Sequence, residues 1–160
     1  MAVRVPPVLN VPDRLLPAIT AAVRFHALQH QDELTGLLDW ALDRLRQPPR
    51  VIVEIGSHEG GTLACGCEIA TALVVGIALP IGAGGPTEWG GISAAAVIVR
   101  DGTLQQQYPH LRTILGNSRD PATVRALQSM LGTRAIDLLF IDGDHTLDGV
   151  ESDYRLYSPL

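Results

Sequence analysis

The chain has 160 residues, 46% hydrophobic and 18% charged, which fits one globular domain with a single core. Twelve basic against seventeen acidic residues leave a net charge of −5, which disfavours nucleic acid as a partner. No apolar run approaches the ~20 residues of a membrane span, and the start Met1-Ala-Val-Arg-Val-Pro-Pro7 lacks an apolar signal core, so the expected location is cytoplasmic, with no membrane partner.

All twelve basic residues are arginine, so no lysine can act as a base. Pro6 to Pro12 should be extended, and Asp13 can cap a helix running to about Gln29. Leu34, Leu37, Leu38, Ala41, Leu42 and Leu45 then recur at helical spacing, predicting a second helix that lies against a sheet and ends before Pro48-Pro49.

Val51-Ile-Val-Glu-Ile-Gly-Ser-His-Glu-Gly-Gly-Thr62 reads as a buried strand turning sharply into a helix. The helix start offers N–H groups to an anion, and Glu54 offers a carboxylate to a hydroxyl or ammonium. Gly56, Gly60 and Gly61 do not form the G-x-G-x-x-G of a dinucleotide site, which argues against a nucleotide-dependent oxidoreductase. The pattern E-I-G-S-x-x-G-G-T resembles the first motif of class I S-adenosylmethionine-dependent methyltransferases. It looks most like the catechol-type and cephalosporin hydroxylase-like small-molecule O-methyltransferases. The resemblance implies cofactor contacts from Glu54, Gly56, Ser57, His58, Gly60 and Thr62. It also places helices at the N-terminus, where they help cover an acceptor site.

Cys65 and Cys67 lack the C-x-x-C pairs of a zinc site and read as small core residues. Ala72 to Leu79 is a second strand. In the resembled enzymes an acidic residue ends this strand and holds the ribose hydroxyls, whereas here Ala78 stands in that place. Weaker cofactor binding, or substitution by Glu88, follows as an expectation. Ile81 to Gly91 is a glycine-rich loop that could close over a cofactor or merely connect. For Ile92 to Tyr108 the resemblance favours a helix, while Asp101-Gly102 between β-rich residues signals a hairpin.

Leu111 to Leu115 is a third strand, followed by a helix with Asp120 as N-cap and Pro121 at its first position, ending at Gly132. The resemblance gives Ser118 and Arg119 adenine contacts, and a solvent-facing turn is the other reading. Ala135 to Ile141 is the strongest strand signal, ending in Asp142-Gly-Asp-His145 at the rim where α/β folds bind ligands. An EF-hand reading of Asp142, Asp144 and Asp148 fails because Leu147 stands where glycine is required. Asp144 or Thr146 can cap the following helix, whose buried stripe should be Val150, Tyr154 and Tyr157, with Glu151 and Asp153 in solvent.

The string I-D-L-L-F-I-D-G-D-H-T-L-D-G-V-E-S-D-Y resembles the matching segment of the cephalosporin hydroxylase-like methyltransferases. It implies that Asp142 contacts the cofactor and binds a divalent ion such as Mg2+, and that Asp144 and His145 are catalytic. Histidine, with an unperturbed pKa of about 6.5, suits the base role that a lysine fills in the catechol-type enzymes. The implied fold is a Rossmann-like, doubly wound α/β parallel sheet. Four strands are readable, in the order 3-2-1-4, and the later strands of the resembled fold are missing, so the chain is expected to be a C-terminally truncated, partial domain. Residues 1–48 would form a helical segment and 50–160 the cofactor-binding core. The expected function is O-methylation of a small hydroxylated acceptor; the alternative is a cofactor-binding or assembly module without turnover. An exposed edge at Ile136 to Ile141 predicts a homo-oligomer that covers it.

Overall fold

The computed structural model describes residues 11–80 and 92–160. Residues 1–10 and 81–91, on which the start of the expected extended segment, the expected glycine-rich loop and Glu88 fall, lie outside the described residues. A 3-10 turn, Asp13–Leu15, leads into α1 (Leu16–Arg24), followed by α2 (Gln31–Leu45), β1 (Val51–Ile55), α3 (Gly61–Ile69) and β2 (Leu73–Ala78). Then come α4 (Ala94–Gln107), β3 (Leu111–Leu115), α5 (Pro121–Leu131), β4 (Leu138–Ile141) and α6 (Leu147–Tyr157).

The four strands are all parallel, in the order β3-β2-β1-β4. Successive side chains on a strand point to opposite faces. Val51, Val53 and Ile55, with Leu73, Val75 and Ile77, therefore meet Leu127 and Leu131 of α5 and Tyr157 of α6. Ile52 and Val74 face the other way, onto Leu63 of α3, Leu104 of α4 and Ala21 of α1. Helices on both faces make the sheet doubly wound, and they explain why β1 and β2 are buried at every position.

Several boundaries differ from the sequence reading. The first helix does not run to Gln29, and Asp13 lies in the 3-10 turn without capping by its side chain. It ends at Arg24 because His26 adopts φ 58, and the bonds from Ala27 N to Ala22 O and from His26 N to Val23 O close the end. The second helix does not lie on the sheet: Leu34 and Leu38 pack with Leu15, Ala18, Ile19 and Cys65, a layer further out. Residues 94–107 are helical, so the Asp101-Gly102 hairpin signal loses to tertiary packing of Val97 and Leu104. Cys65 and Cys67 are buried core residues, as expected.

On α6 the stripe is shifted: Tyr157 is buried and Glu151 exposed, as expected, but Asp153 is buried where Val150 and Tyr154 were expected. Gly149, Asp153 and Tyr157 are buried, while Val150 and Tyr154 are exposed. Helical spacing alone could not choose between these faces, because apolar residues lie on both. β4 is shorter than Ala135 to Ile141; Asp137 instead accepts hydrogen bonds from the N–H groups of Arg50 and Val51 at 2.7 and 2.9 Å, pinning the strand start. β4 pairs only with β1 among the described residues, and all four of its residues are half-buried.

Candidate functional site

The turns after β1 and β4 stand side by side at the carboxyl rim of the sheet. Asp142 N donates to Ile55 O at 2.8 Å. Gly56, at φ 96, lies so close to the second turn that a Cβ there would sit 2.1 Å from the Asp142 carbonyl oxygen. Gly61 opens α3 directly against the N-terminal helices, where a Cβ would meet Ala27 N at 2.1 Å. The glycines thus serve approach of the chain to itself, and Gly60, at φ 87, caps α3.

Glu54 ends in the crevice, only 3% exposed. Thr62 Oγ1 donates to its Oε1, and its Oε2 is buried with no partner among the described residues. Burial pushes the carboxyl up to about 8 against the pull of the Thr62 hydrogen bond, and the nearby charge of Asp142 adds to the rise. Ser57 Oγ is a second buried polar atom here without a partner among the described residues. The His58 and Ser57 carbonyls both accept from Arg100 Nη1, the latter at 3.0 Å. Arg100 is paired with Asp101 at 2.6 Å, and both side chains are 9% exposed.

On the second turn, Asp142 Oδ1 faces His145 Nε2 at 3.3 Å, and Oδ2 accepts from Gln29 Nε2 at 2.5 Å. Asp144 accepts from Thr146 N at 3.0 Å and pairs with Arg119 at 2.7 Å. The Thr146 bond is the main reason its carboxyl is held below the ordinary range. Thr146 caps α6 through Gly149 N.

Arg119 also reaches Asp148 at 3.2 Å, so it bridges the turns after β3 and β4. The Ser118 carbonyl accepts from Tyr157 Oη at 2.7 Å, and the Ser118 side chain hydrogen-bonds Asp153. Asp153, expected in solvent, is 1% exposed, and burial raises its carboxyl.

Glu54, Gly56, Ser57, His58, Gly60, Thr62 and Asp142 thus gather at one rim, with Asp144 and His145 beside them. Ser118 and Arg119 lie on the neighbouring turn, engaged with α6. At the end of β2 Ala78 is buried and carries no carboxylate. Gln29 and Arg100 are contacts the sequence reading does not name, and Asp153 is one it places in solvent. Arg100 had one signal, a lone ion pair with Asp101 inside an apolar run; Gln29 had none, since its partner is 113 residues away.

The residues present do not fit a divalent metal. No three His, Cys, Asp or Glu side chains among the described residues converge on one point, and both oxygens of Asp142 are already engaged. They do fit a ligand that brings a cation or hydroxyl to the unpartnered Glu54 Oε2 and a polar atom to Ser57. A separate cavity of about 490 Å3 lies between α1, the α1–α2 turn and Glu59, lined by Ile19, His26, Gln29, His30 and Leu34.

No protein-family model matches the sequence, and no curated protein matches it. Solved structures do. The SAH-bound methyltransferase PaMTH1 of Podospora anserina matches with a TM-score of 0.56 at 17% identity, over 94% of this chain and 58% of that one. The O-methyltransferase of Bacillus cereus in complex with SAH matches with a TM-score of 0.54 at 16% identity, over 96% and 64%. MycE of the mycinamycin pathway, solved with Mg, SAH and mycinamycin VI, matches with a TM-score of 0.50 at 16% identity, over 94% and 32%. The fold is therefore that of the class I S-adenosylmethionine-dependent methyltransferases. The chain spans less than two thirds of the length of these three structures.

Proposed function

We propose that this chain is the S-adenosylmethionine-binding core of an O-methyltransferase acting on a small hydroxylated acceptor. The observation that carries the reading is the buried, unpartnered oxygen of Glu54 at the rim where the glycine turn and the Asp142 turn meet. A buried carboxyl shifted up to about 8 is one that a bound ammonium or hydroxyl would stabilise in its charged form. Glu54 and Ser57 would hold the ligand, and Arg100 keeps their turn in place from below.

When bound, S-adenosylmethionine supplies an electrophilic methyl group. The chain's own task is then to orient an acceptor oxygen and take its proton. His145 stands at the open side of the rim, and Asp142 fixes its ring. Asp142 Oδ1, 3.3 Å from Nε2, orients the ring for the proposed role of base.

A second reading, a binding or assembly module without turnover, is favoured by Ala78 at the place of the ribose-holding acid. A lost charge-assisted hydrogen bond there costs on the order of 1.5–3 kcal/mol of cofactor affinity. We further propose a cytoplasmic protein whose β4 edge is covered by a second copy. The exposed Leu147, Val150 and Tyr154 on adjoining α6 support that covering. Among the described residues no helix is long and apolar enough to cross a membrane.

Calorimetry with SAH and with NAD tests the cofactor, the expected result being heat with SAH alone. Methyl transfer to a panel of hydroxylated acceptors separates enzyme from module, and His145→Ala should lower turnover about 10²- to 10⁴-fold. Unchanged turnover and an unchanged pH–rate profile would remove His145 from the base role.

A further inference from the structure

Gln29 belongs to no motif and lies in the turn between α1 and α2, yet its Nε2 reaches Asp142 Oδ2 at 2.5 Å. The opposite carboxylate oxygen stands 3.3 Å from His145 Nε2. One aspartate is thus held between an amide brought by the N-terminal helices and an imidazole from its own turn.

The delivery of that amide is built into the backbone. His26 takes the left-handed conformation that ends α1, and Ala27 N closes the end on Ala22 O at 2.9 Å. Ala27 then packs against Gly61, where no side chain would fit. Gln29 follows two residues later, on a turn fixed at both the helix end and the α3 start.

The chemistry of the contact is specific. Aspartate oxygens accept hydrogen bonds, so the side that meets Oδ2 is the NH2 side of the amide. That donor takes up one side of Oδ2 where a divalent cation would otherwise sit, and the second oxygen is turned to His145. Gln29 Oε1 is left buried without a partner among the described residues, and the residue also lines the cavity of about 490 Å3 beside α1. The amide therefore joins the cavity to the rim.

We infer that Gln29 is a positioning residue: it holds Asp142 in the orientation that faces His145, taking the place of a metal ion, and makes the N-terminal helices and the rim one site. The base role of His145 rests on the function proposed above; the clamp does not.

The test uses the full chain and the variants Gln29→Met, Gln29→Glu and Asp142→Ala, each checked for folding by circular dichroism. In the parent the Gln29 side-chain NH2 signals should be shifted and slow to exchange, and Asp142→Ala should return both to ordinary values. In Gln29→Met the imidazole 15N signals of His145 should move, while those of His110, bonded to the Cys67 carbonyl, stay in place. In a Mn2+ titration followed by water-proton relaxation, Gln29→Glu, which sets two carboxylates together, should bind about tenfold more tightly than the parent. An unmoved His145 signal in a folded Gln29→Met protein overturns the inference. So does parent Mn2+ binding that equals Gln29→Glu and disappears in Asp142→Ala. If Gln29→Met does not fold, the NH2 signals of the parent and Asp142→Ala decide. Failure of SAH to bind would defeat the cofactor reading while leaving these signals as they are.

Discussion

The turns that follow β1 and β4 are neighbours built on opposite plans. The first is buried and held by backbone: Gly56 against Asp142, Gly61 against Ala27, and the Ser57 and His58 carbonyls on Arg100. The second is open to solvent and held by side chains: Gln29 and His145 on Asp142, Arg119 on Asp144 and Asp148. On the function proposed above, the contrast would separate two tasks at one rim. A fixed floor can recognise a ligand common to a fold, while an open turn held by replaceable contacts can carry the chemistry and change with the acceptor.

The largest effect should come from the floor. Gly56→Ala forces a side chain into φ 96 and against the Asp142 carbonyl, so a loss of about 4 kcal/mol or more, or no folding, is expected in urea unfolding. Near-parent stability would mean that the turns are not packed backbone to backbone. Arg100→Met should follow, at about 3–5 kcal/mol, because it strands Asp101 as an unpaired buried charge; restoring most of that loss by adding Asp101→Leu would identify the stranded charge as the cause.

Glu54 gives the floor a pH signature. Its carboxyl rises in the folded state from the ordinary 4.5 to about 8, so the folded chain holds a proton that the unfolded chain has lost. Stability should therefore fall as pH rises through that window, with the penalty absent below it and complete above it. Glu54→Gln should flatten the slope; an equal slope in melts of both proteins from pH 5 to 8 would assign the effect elsewhere. The open turn should respond least. Arg119→Ala removes two solvent-exposed ion pairs and should cost no more than about 1 kcal/mol by chemical denaturation.

What the sequence made legible follows the same division. Glycine spacing, β-branched runs and carboxylates at strand ends are local signals, and they placed the strands and both turns; the order of the sheet followed only from the family resemblance that the two motifs carry. The contacts that finish the site are long-range. Gln29 reaches across 113 residues, and no periodicity announces it. Asp153 is buried beside Tyr157 where the Ser118 turn meets α6, a contact that helical spacing cannot carry when Val150 and Tyr154 offer a more apolar continuation of the stripe. Asp101-Gly102 misleads in the same way, since burial of Val97 and Leu104 outweighs a local turn preference.

The most direct measurement is an 15N NMR titration of the full chain with SAH. The account predicts that amide signals of residues 54–62 and of residues 142–145 shift together, with one midpoint. Saturating SAH that leaves both sets unmoved, or that shifts one turn without the other, would contradict a single adenosyl site shared by the two turns.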